Sequence, residues 1–391
     1  MVPRRSGWWY FPGWLKATGF RQKDNHRQRR RTATVNSFSP YYNGSVKSWD
    51  VIIAGAGIIG VSLALELRER GCAVLVLDRA FPGGEASSAA AGMLAPADPE
   101  APSALRPMAF ESASMFPEFV RKLESAGKMQ VDFRRFGTIA LLHGEPAPAE
   151  YRGLSANELQ RLEPFLHNTG QPAFFVQEDS VDPHLLMRAA LAAAGNLGVE
   201  VRGDTPVQDI RPRDNGVQVL TPADTFFAHC MVDCRGAWSG APVRPRKGQM
   251  LYVQPRTAVL QHVLRAPEVY LVPRGSGTIL VGATVEDVGY DKSVDPATVR
   301  ALLSAAAKYL PELASAPITH SWAGLRPGTP DGLPILGATE MPGVLIASGH
   351  FRNGILLAPI TAKIMASLVE GLPSPLSIAA FAPGRFPREL K

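Results

Sequence analysis

The sequence predicts an α/β protein built from two interleaved domains, and three patterns support that fold class. Residues 49–80 (WDVIIAGAGIIGVSLALELRERGCAVLVLDRA) combine an apolar strand, a glycine-rich turn, a helix and a second apolar strand, which together make a βαβ unit. Residues 248–284 instead favour successive antiparallel strands, with a Gly-Ser-Gly turn at 275–277. Helix patterns and short β-rich runs lie between these two regions. With 391 residues, 46% of them hydrophobic, the chain is long enough for about two domains.

The turn of the βαβ unit has the glycine spacing typical of dinucleotide binding. Gly55 permits the tight turn, Gly57 lets the backbone approach a pyrophosphate, and Gly60 permits close packing of helix against strand. Asp78 ends the second strand, where its carboxylate can accept hydrogen bonds from a ribose hydroxyl. This context favours a Rossmann-like nucleotide domain over a purely structural glycine turn.

The segment that follows the second strand favours FAD over NAD. GGEASSAAAGML (83–94) consists almost entirely of small residues, so the chain can approach a large, flat ligand closely. Ser87 and Ser88 could hydrogen-bond phosphate. A flexible small-residue loop is the alternative interpretation.

Capping residues predict further helices. Ser155 and Glu158 form a capping box for a helix over 155–163. Asp182 and Asp295 each precede a proline at the first helical position, which predicts helices over 182–195 and 294–313. RDNG (213–216) predicts a hairpin turn.

The basic charge of the chain is concentrated in its first 47 residues. They hold ten of the 41 Lys and Arg residues and one of the 35 Asp and Glu residues, so the remainder has 31 basic and 34 acidic residues. No basic face typical of a nucleic-acid binder is therefore predicted. The segment 1–47 is interpreted as a disordered extension or the product of a misassigned start codon, with an organellar transit segment or a tail for an anionic partner as alternatives.

Cysteine and histidine patterns argue against disulfides and metal sites. Cys72, Cys230 and Cys234 lack CxxC spacing, which favours buried thiols in a reducing, cytoplasmic compartment. The eight His residues have no ligand spacing, so no metal is predicted. No window approaches ~18 uninterrupted apolar residues, so no membrane span is predicted.

Five motifs occur together: the glycine turn, SSAAAGML, RKGQML, WAGLRPGTPDGLPILG and GHFRNGILLAP. In this order they resemble the glycine oxidase branch of the D-amino-acid oxidase family of flavoproteins, over about residues 49–372. Asp78 departs from the Glu that is common in relatives, which shortens the reach to ribose. No Cys follows Cys234, so the covalent cysteinyl link of sarcosine-oxidase-like relatives is not expected and the FAD should be non-covalent.

The resemblance implies a glutathione-reductase-type FAD-binding domain interleaved with an antiparallel-sheet substrate domain that roofs the flavin. The FAD-binding domain is assigned to residues 48–130, 180–245 and 320–391. The substrate domain is assigned to residues 131–179 and 246–319.

Three residues are candidates for catalysis. The carboxylate is the one group of a small amino acid that a protein can bind strongly, and arginine binds carboxylates bidentately. Arg326, in GLRPG, resembles the family's carboxylate-binding arginine, with a structural ion pair as the alternative. Tyr270, in EVYLVPR, could donate to the same carboxylate unless it only packs in the sheet. Arg352 is the third candidate, with a helix-end salt bridge as its alternative.

The apolar run from Gly354 predicts a helix whose N-terminal N–H groups face the flavin's pyrimidine edge, where negative charge develops. Arg352 would face the substrate carboxylate, so both positive groups would meet an anion. His350 is interpreted as a packing residue of the loop. By resemblance, the backbone of Val207 lies near the adenine and CRGAWS (234–239) forms a turn under the cofactor, although a structural turn is almost equally compatible. The residues predicted to contact FAD are Gly55, Gly57, Ile58, Ile59, Gly60, Asp78, Arg79, Ala86, Ser87, Ala91, Gly92, Met93, Val207, His350, Phe351, Arg352, Asn353, Gly354, Ile355 and Leu356.

The resemblance implies oxidative deamination of glycine, sarcosine or small D-amino acids. A hydride would leave Cα for the flavin without a side-chain base, dioxygen would reoxidise the flavin with release of hydrogen peroxide, and the imine would hydrolyse to a 2-oxo acid such as glyoxylate. In bacteria such an activity commonly feeds the thiazole branch of thiamine synthesis. A quinone-linked D-amino-acid dehydrogenase is the alternative, and a flavin-bearing nucleic-acid-modifying protein is a more distant one. The expected partners are a small amino acid and dioxygen, and the sequence leaves the oligomeric state open, a homo-oligomer included.

Overall fold

The computed structural model describes residues 48–142, 147–167, 170–240 and 242–386. The predicted extension at 1–47 lies outside these ranges. The helices that they contain are α1 (Ile58–Glu69), α2 (Ala86–Ala89), α3 (Arg106–Gly127), α4 (Ala156–Leu162), α5 (Pro183–Asn196), α6 (Pro296–Tyr309) and α7 (Gly354–Val369). The strands are β1 (Ser48–Ala54), β2 (Val74–Leu77), β3 (Met93–Leu94), β4 (Phe133–Arg134), β5 (Thr138–Leu141), β6 (Arg152–Leu154), β7 (Ala173–Val176), β8 (Asp179–Val181), β9 (Glu200–Arg202), β10 (Asp209–Arg213), β11 (Gly216–Leu220), β12 (Thr225–Asp233), β13 (Arg244–Val253), β14 (Val263–Arg265), β15 (Tyr270–Pro273), β16 (Ile279–Gly282), β17 (Ile318–Gly328), β18 (Ile335–Ala338) and β19 (Val344–Ser348).

The first sheet is organised around parallel strands. β1 pairs in parallel with β2 and β12, β2 continues to β9, and β12 also pairs in parallel with β19. Antiparallel strands β10, β11 and β18 complete the sheet. The carboxyl ends of β1, β2, β12 and β19 therefore lie at one edge, where α/β sheets of this kind bind ligands.

Both faces of the first sheet are apolar. Val51 and Ile53 of β1 belong to the core cluster shared with α1, α3, α5 and α7, whereas Ile52 and Ala54 belong to a cluster on the other face. Alternating side chains point to opposite faces of a strand, so this pattern means that β1 is buried from both sides. Such burial holds the edge with the four carboxyl ends in place.

The second sheet has the strand order β17-β13-β16-β15-β14-β5-β7-β6, and a small third sheet has the order β3-β8-β4. In the second sheet α6 packs against β13 and β16. None of the helices in the described ranges combines the length and the apolar character that a crossing of a lipid bilayer requires.

The helices predicted from capping residues are confirmed. Ser155 and Glu158 form a capping box at α4, and the carboxylates of Asp182 and Asp295 accept backbone N–H groups at the starts of α5 and α6. The RDNG turn joins β10 to β11, and the helix predicted from Gly354 is α7. These signals are local, so they did not depend on the rest of the fold.

The sheet predicted as antiparallel differs in three respects. β14 pairs in parallel with β5. The two strands come from distant parts of the chain, so no hairpin forces them to be antiparallel. β13 pairs with β16 and not with β14. Residues 131–142 divide between two sheets, with β4 in the third and β5 in the second.

One proposed domain boundary also cuts a strand. β17, Ile318–Gly328, is hydrogen-bonded along its length to β13, so the second sheet continues past the predicted boundary at residue 320. The other boundaries remain predictions.

Candidate active site

The edge formed by the four carboxyl ends opens onto a cavity of about 330 Å³ that is roofed by the second sheet. Every residue predicted to contact FAD lines this cavity except Gly60 and Leu356, and the three catalytic candidates line it as well. Gly60 is a residue of α1 that packs against the end of β1, and Leu356 is buried in the core. The sequence therefore identified segments that the fold brings to one place.

The glycine turn has the geometry that its spacing predicts. Gly55 has φ +108°, and a Cβ there would lie 2.3 Å from the carbonyl oxygen of Cys234. A Cβ at Gly60 would lie 1.9 Å from the carbonyl oxygen of Gly55, so only glycine lets α1 approach β1 this closely. Gly57 is the N-cap of α1 and provides no side chain to cap it. The helix thus presents its N-terminus to the cavity, an arrangement that favours an anion such as pyrophosphate.

The end of β2 is fixed by the backbone around it. Asp78 accepts hydrogen bonds from the N–H groups of Ala56 at 2.7 Å and Ala80 at 3.0 Å. Burial raises the pKa of Asp78 above its ordinary value, and these two hydrogen bonds oppose the rise. Beside it, the guanidinium of Arg79 lies over the ring of Trp238, 3.7 Å from the ring centroid. Trp238 lines the cavity and belongs to CRGAWS (234–239), the segment that by resemblance forms a turn under the cofactor.

The two serines after β2 have different roles. Ser87 Oγ accepts a hydrogen bond from the N–H of Ile58 at 2.9 Å, so it lies at the N-terminus of α1, where a phosphate would lie. Ser88 Oγ instead donates to the carbonyl of Gly83 at 2.7 Å within its own loop and does not line the cavity. The expectation that both serines face phosphate therefore fails for Ser88, because its hydroxyl closes the turn.

The segment before α7 forms the far wall of the cavity. Phe351 has φ +47° in the loop before the helix, and α7 begins at Gly354 with no side-chain cap and no acidic residue in its first turn. His350 is buried, and its Nε2 lies 3.2 Å from Thr361 Oγ1. Burial lowers the pKa of His350 to about 3, so the ring is neutral. This agrees with the interpretation of His350 as a packing residue.

A row of side chains crosses the cavity face of the second sheet. Arg265 lies opposite Tyr270, Tyr270 opposite Gly282, and Gly282 opposite Met250. Residues directly opposite in antiparallel strands share a face. A Cβ at Gly282 would lie 2.6 Å from the Tyr270 ring, so this glycine makes room for the tyrosine, whose hydroxyl lies 3.6 Å from Met250 Sδ. Burial raises the pKa of Tyr270, and the nearby charge of Arg326 opposes the rise.

The guanidinium of Arg326 projects from β17 over the glycine of the neighbouring strand. Its Nη1 donates to the carbonyl of Thr284 at 3.0 Å, and Gly248 leaves the space that it occupies. Within the described ranges no carboxylate lies within ion-pair distance of Arg326.

The other arginines that line the cavity all have carboxylate partners. Arg79 pairs with Glu85 at 2.9 Å and Arg235 pairs with Asp233 at 2.7 Å. Arg352 is bound by Glu100, with Asp98 at 3.8 Å, and Arg265 pairs with Glu178 at 3.0 Å.

The pairing of Arg352 with Glu100 and Asp98 corresponds to the salt bridge that the sequence left as an alternative. Arg352 still lines the cavity, so its contact with a substrate remains a prediction. Arg265, Glu178 and the hydroxyl of Tyr151, which accepts a hydrogen bond from Arg265, were not predicted from the sequence. No local motif marks these residues, because Tyr151 and Arg265 are 114 residues apart.

These features define a flavin-dependent oxidoreductase. The glycine turn, the N-terminus of α1 that faces the cavity and the acidic end of β2 fit an adenine dinucleotide, and Arg326 in the roof of the cavity can bind the carboxylate of a small acid. A family model described as FAD dependent oxidoreductase matches residues 50–368, and the chain belongs to this family. It is an enzyme whose cofactor is FAD, which confirms the predicted family, fold class and cofactor.

Several relatives have names that bear on the reaction. The bifunctional protein ThiO/ThiG of Trichormus variabilis is 36% identical over 87% of this chain and 55% of its own length. The chain spans about half the length of the curated ThiO/ThiG relatives that it matches. The glycine oxidase of Bacillus licheniformis is 33% identical over 84% of this chain and 94% of its own length. The crystal structure of glycine oxidase from Geobacillus kaustophilus superposes with a TM-score of 0.82 at 31% identity, over 87% of this chain and 99% of that one.

Proposed function

We propose that this enzyme oxidatively deaminates glycine and other small amines or D-amino acids. A primary amino acid, dioxygen and water would be converted to a 2-oxo acid, ammonia and hydrogen peroxide, with glyoxylate formed from glycine; a secondary amine such as sarcosine would release methylamine in place of ammonia. The name of the glycine oxidase relative supports this reaction, and the ThiO/ThiG names support a role in supplying thiamine thiazole synthesis. The cysteine pattern supports the cytoplasm as the location.

The observation that carries the proposal is the distribution of charge in the cavity. Arg326 is the cavity arginine without a carboxylate partner among the described residues, whereas Arg79, Arg235, Arg265 and Arg352 are paired. Arg326 is half-buried in the cavity wall, and a guanidinium in such a place binds a carboxylate with two parallel hydrogen bonds. A substrate with a single carboxylate would compensate Arg326, and this favours small monocarboxylic amino acids.

The residues of the chain would bind and orient the substrate. Arg326 would hold the carboxylate with two parallel hydrogen bonds, and the hydroxyl of Tyr270 would donate a third. Tyr270 stays protonated at neutral pH because burial raises its pKa, so it remains a donor. Bound FAD supplies the acceptor for the hydride of Cα and the site at which dioxygen is reduced. The open N-terminus of α7 would favour negative charge at the neighbouring edge of the cavity.

The proposal is tested by measuring peroxide release with glycine, sarcosine, D-alanine and D-proline. Release with at least one of these substrates, lost in Arg326→Ala, is the expected result. Stopped-flow mixing of reduced enzyme with oxygen separates an oxidase from a quinone-linked D-amino-acid dehydrogenase. Reoxidation within milliseconds to seconds supports the oxidase, and reoxidation that takes minutes rejects it.

A further inference from the structure

A hydrogen-bonded network lies on the face of the second sheet that points away from the cavity. Lys247 and Gln249 alternate with Gly248 along β13, so they point away from the face that Arg326 covers. Lys247 is 3% exposed, and its Nζ lies 3.2 Å from Asp291 Oδ2 and 3.7 Å from Glu286 Oε2. A lysine so deeply buried is rare unless it is paired. Burial of the Lys247 ammonium group therefore depends on these two carboxylates.

Glu286 is the centre of this network. Its backbone N–H and carbonyl both bond to the backbone of Lys247, each at 2.9 Å. Its side-chain Oε1 accepts from Gln249 Nε2 at 2.9 Å and from the hydroxyl of Thr284. Burial opposes ionisation of Glu286, but the hydrogen bonds from Thr284 and Gln249 and the charge of Lys247 lower its pKa overall. Glu286 is thus a well-satisfied carboxylate.

Thr284 links this network to the cavity. Its hydroxyl donates to Glu286 and accepts from the N–H of Gln249 at 2.9 Å, which fixes the residue from two directions. Its carbonyl accepts from Nη1 of Arg326 at 3.0 Å. The chain of contacts runs from Glu286 through Thr284 to the guanidinium, and no part of Glu286 lines the cavity.

We propose that Glu286 is a positioning residue for Arg326: by holding Thr284, it sets the orientation of the guanidinium and hence the affinity for a carboxylate that it never touches. This inference rests on the role of Arg326 in the proposed function. A positioning role for Glu286 can be distinguished from a direct effect of its charge, because the two roles predict opposite changes in the affinity for a carboxylate. Removal of a negative charge near an anion site strengthens anion binding by Coulomb's law, whereas loss of positioning weakens it.

The test measures binding of acetate to the FAD-loaded enzyme through the change in flavin absorbance. Glu286→Ala is expected to raise the Kd of acetate by about tenfold, since small misplacements of a binding group are costly. It should raise the KM of glycine by a similar factor with little change in kcat. Glu286→Gln keeps an oxygen that can accept from Thr284 and Gln249, so it should bind acetate within about twofold of the wild type. Thr284→Val removes the hydroxyl but keeps the carbonyl, and it should weaken binding as Glu286→Ala does.

Asp287→Asn is the matched control, because it removes one negative charge at the next residue. Asp287 is an exposed partner of Arg246 and lies outside the network. The Asp287→Asn variant should bind acetate with an unchanged Kd. The flavin content and the thermal midpoint of each variant show whether that variant is folded. If Glu286→Ala does not fold, Thr284→Val carries the test.

The inference is overturned if Glu286→Ala and Thr284→Val bind acetate as tightly as the wild type or more tightly, or if Asp287→Asn loses affinity equally. It is also overturned if the wild type does not bind acetate. Acetate has no amine, so an enzyme that binds acetate but oxidises no amino acid rejects the proposed function alone.

Discussion

The guanidinium of Arg326 occupies space that exists because residue 248 is a glycine. A Cβ at Gly248 would lie 2.2 Å from Nη1 of Arg326, which is far inside the contact distance of real atoms. The obstructing atoms are the end of a flexible side chain and not backbone, so the sheet could keep its register while the guanidinium moved. A substitution at residue 248 could therefore change the orientation of the Arg326 guanidinium without changing the fold.

Gly248→Ala should raise the KM of glycine by about tenfold or more while the thermal midpoint changes little, because the methyl group displaces the guanidinium that holds the carboxylate. Steady-state peroxide assays and thermal unfolding measure the two quantities. Gly153→Ala is the control: Gly153 lies on β6 of the same sheet, with no atom within 4 Å of its Cβ position. An unchanged KM in Gly248→Ala would contradict the role of Arg326.

Tyr270→Phe should retain the flavin and raise the KM of glycine by about tenfold, the value expected when one hydrogen bond to a charged group is lost. The ring remains to fill the space beside Gly282, so stability should be preserved. Flavin content and the Kd of acetate can be measured on the same preparation. If the Kd of acetate does not change, the hydroxyl does not contact the carboxylate.

Gly60→Ala should give protein with little or no bound FAD. A methyl group there would lie 1.9 Å from the backbone oxygen of Gly55, and this backbone atom cannot move without opening the turn that receives the pyrophosphate. The ratio of flavin absorbance to protein absorbance in purified material is the measurement. Normal flavin content in this variant would show that α1 can shift without loss of the site.

Glu178 should make the stability of the enzyme depend on pH. Burial raises its pKa to about 7, although the charge of Arg265 opposes the rise. The native state then holds a proton that the unfolded chain releases near pH 4.5, so the free energy of unfolding falls as pH rises from about 4.5 to about 7 and is level above that.

Glu178→Gln cannot titrate, so this fall should be absent from its stability profile. The measurement is the thermal midpoint of wild type and variant between pH 5 and pH 8. The midpoint of the wild type should exceed that of the variant by the largest amount at pH 5. Glu118→Gln, on an exposed surface of α3, controls for the loss of a carboxylate. Parallel profiles for wild type and Glu178→Gln would show that Glu178 is already ionised at pH 5.

The sequence predicted the features that depend on neighbours along the chain. The glycine turn at 55–60 and the caps at Ser155, Asp182 and Asp295 need only a few adjacent residues, and all have the expected geometry. The motif that contains Arg326 was found by resemblance. The lack of a carboxylate partner for Arg326 among the described residues could not have been found in this way, because it depends on every residue around the guanidinium.

The remaining features depend on contacts between distant segments. Glu100 and Arg352 are 252 residues apart, so the sequence around the helix could not show which anion the arginine meets. The space that Gly248 and Gly282 leave is likewise a property of paired strands and not of a motif. The parallel pairing of β14 with β5 was missed because pairing was inferred from adjacent hairpins.

The late position of β19 has a consequence for synthesis of the protein. β19 completes the parallel core of the first sheet by pairing with β12, which in turn pairs with β1 at the other end of the chain. A ribosome that adds ~5–20 residues per second therefore needs on the order of 15–60 s between making β1 and making β19. Throughout that interval the nascent chain carries apolar strands without their final cover, and it can acquire its flavin only after β19 and α7 have been made.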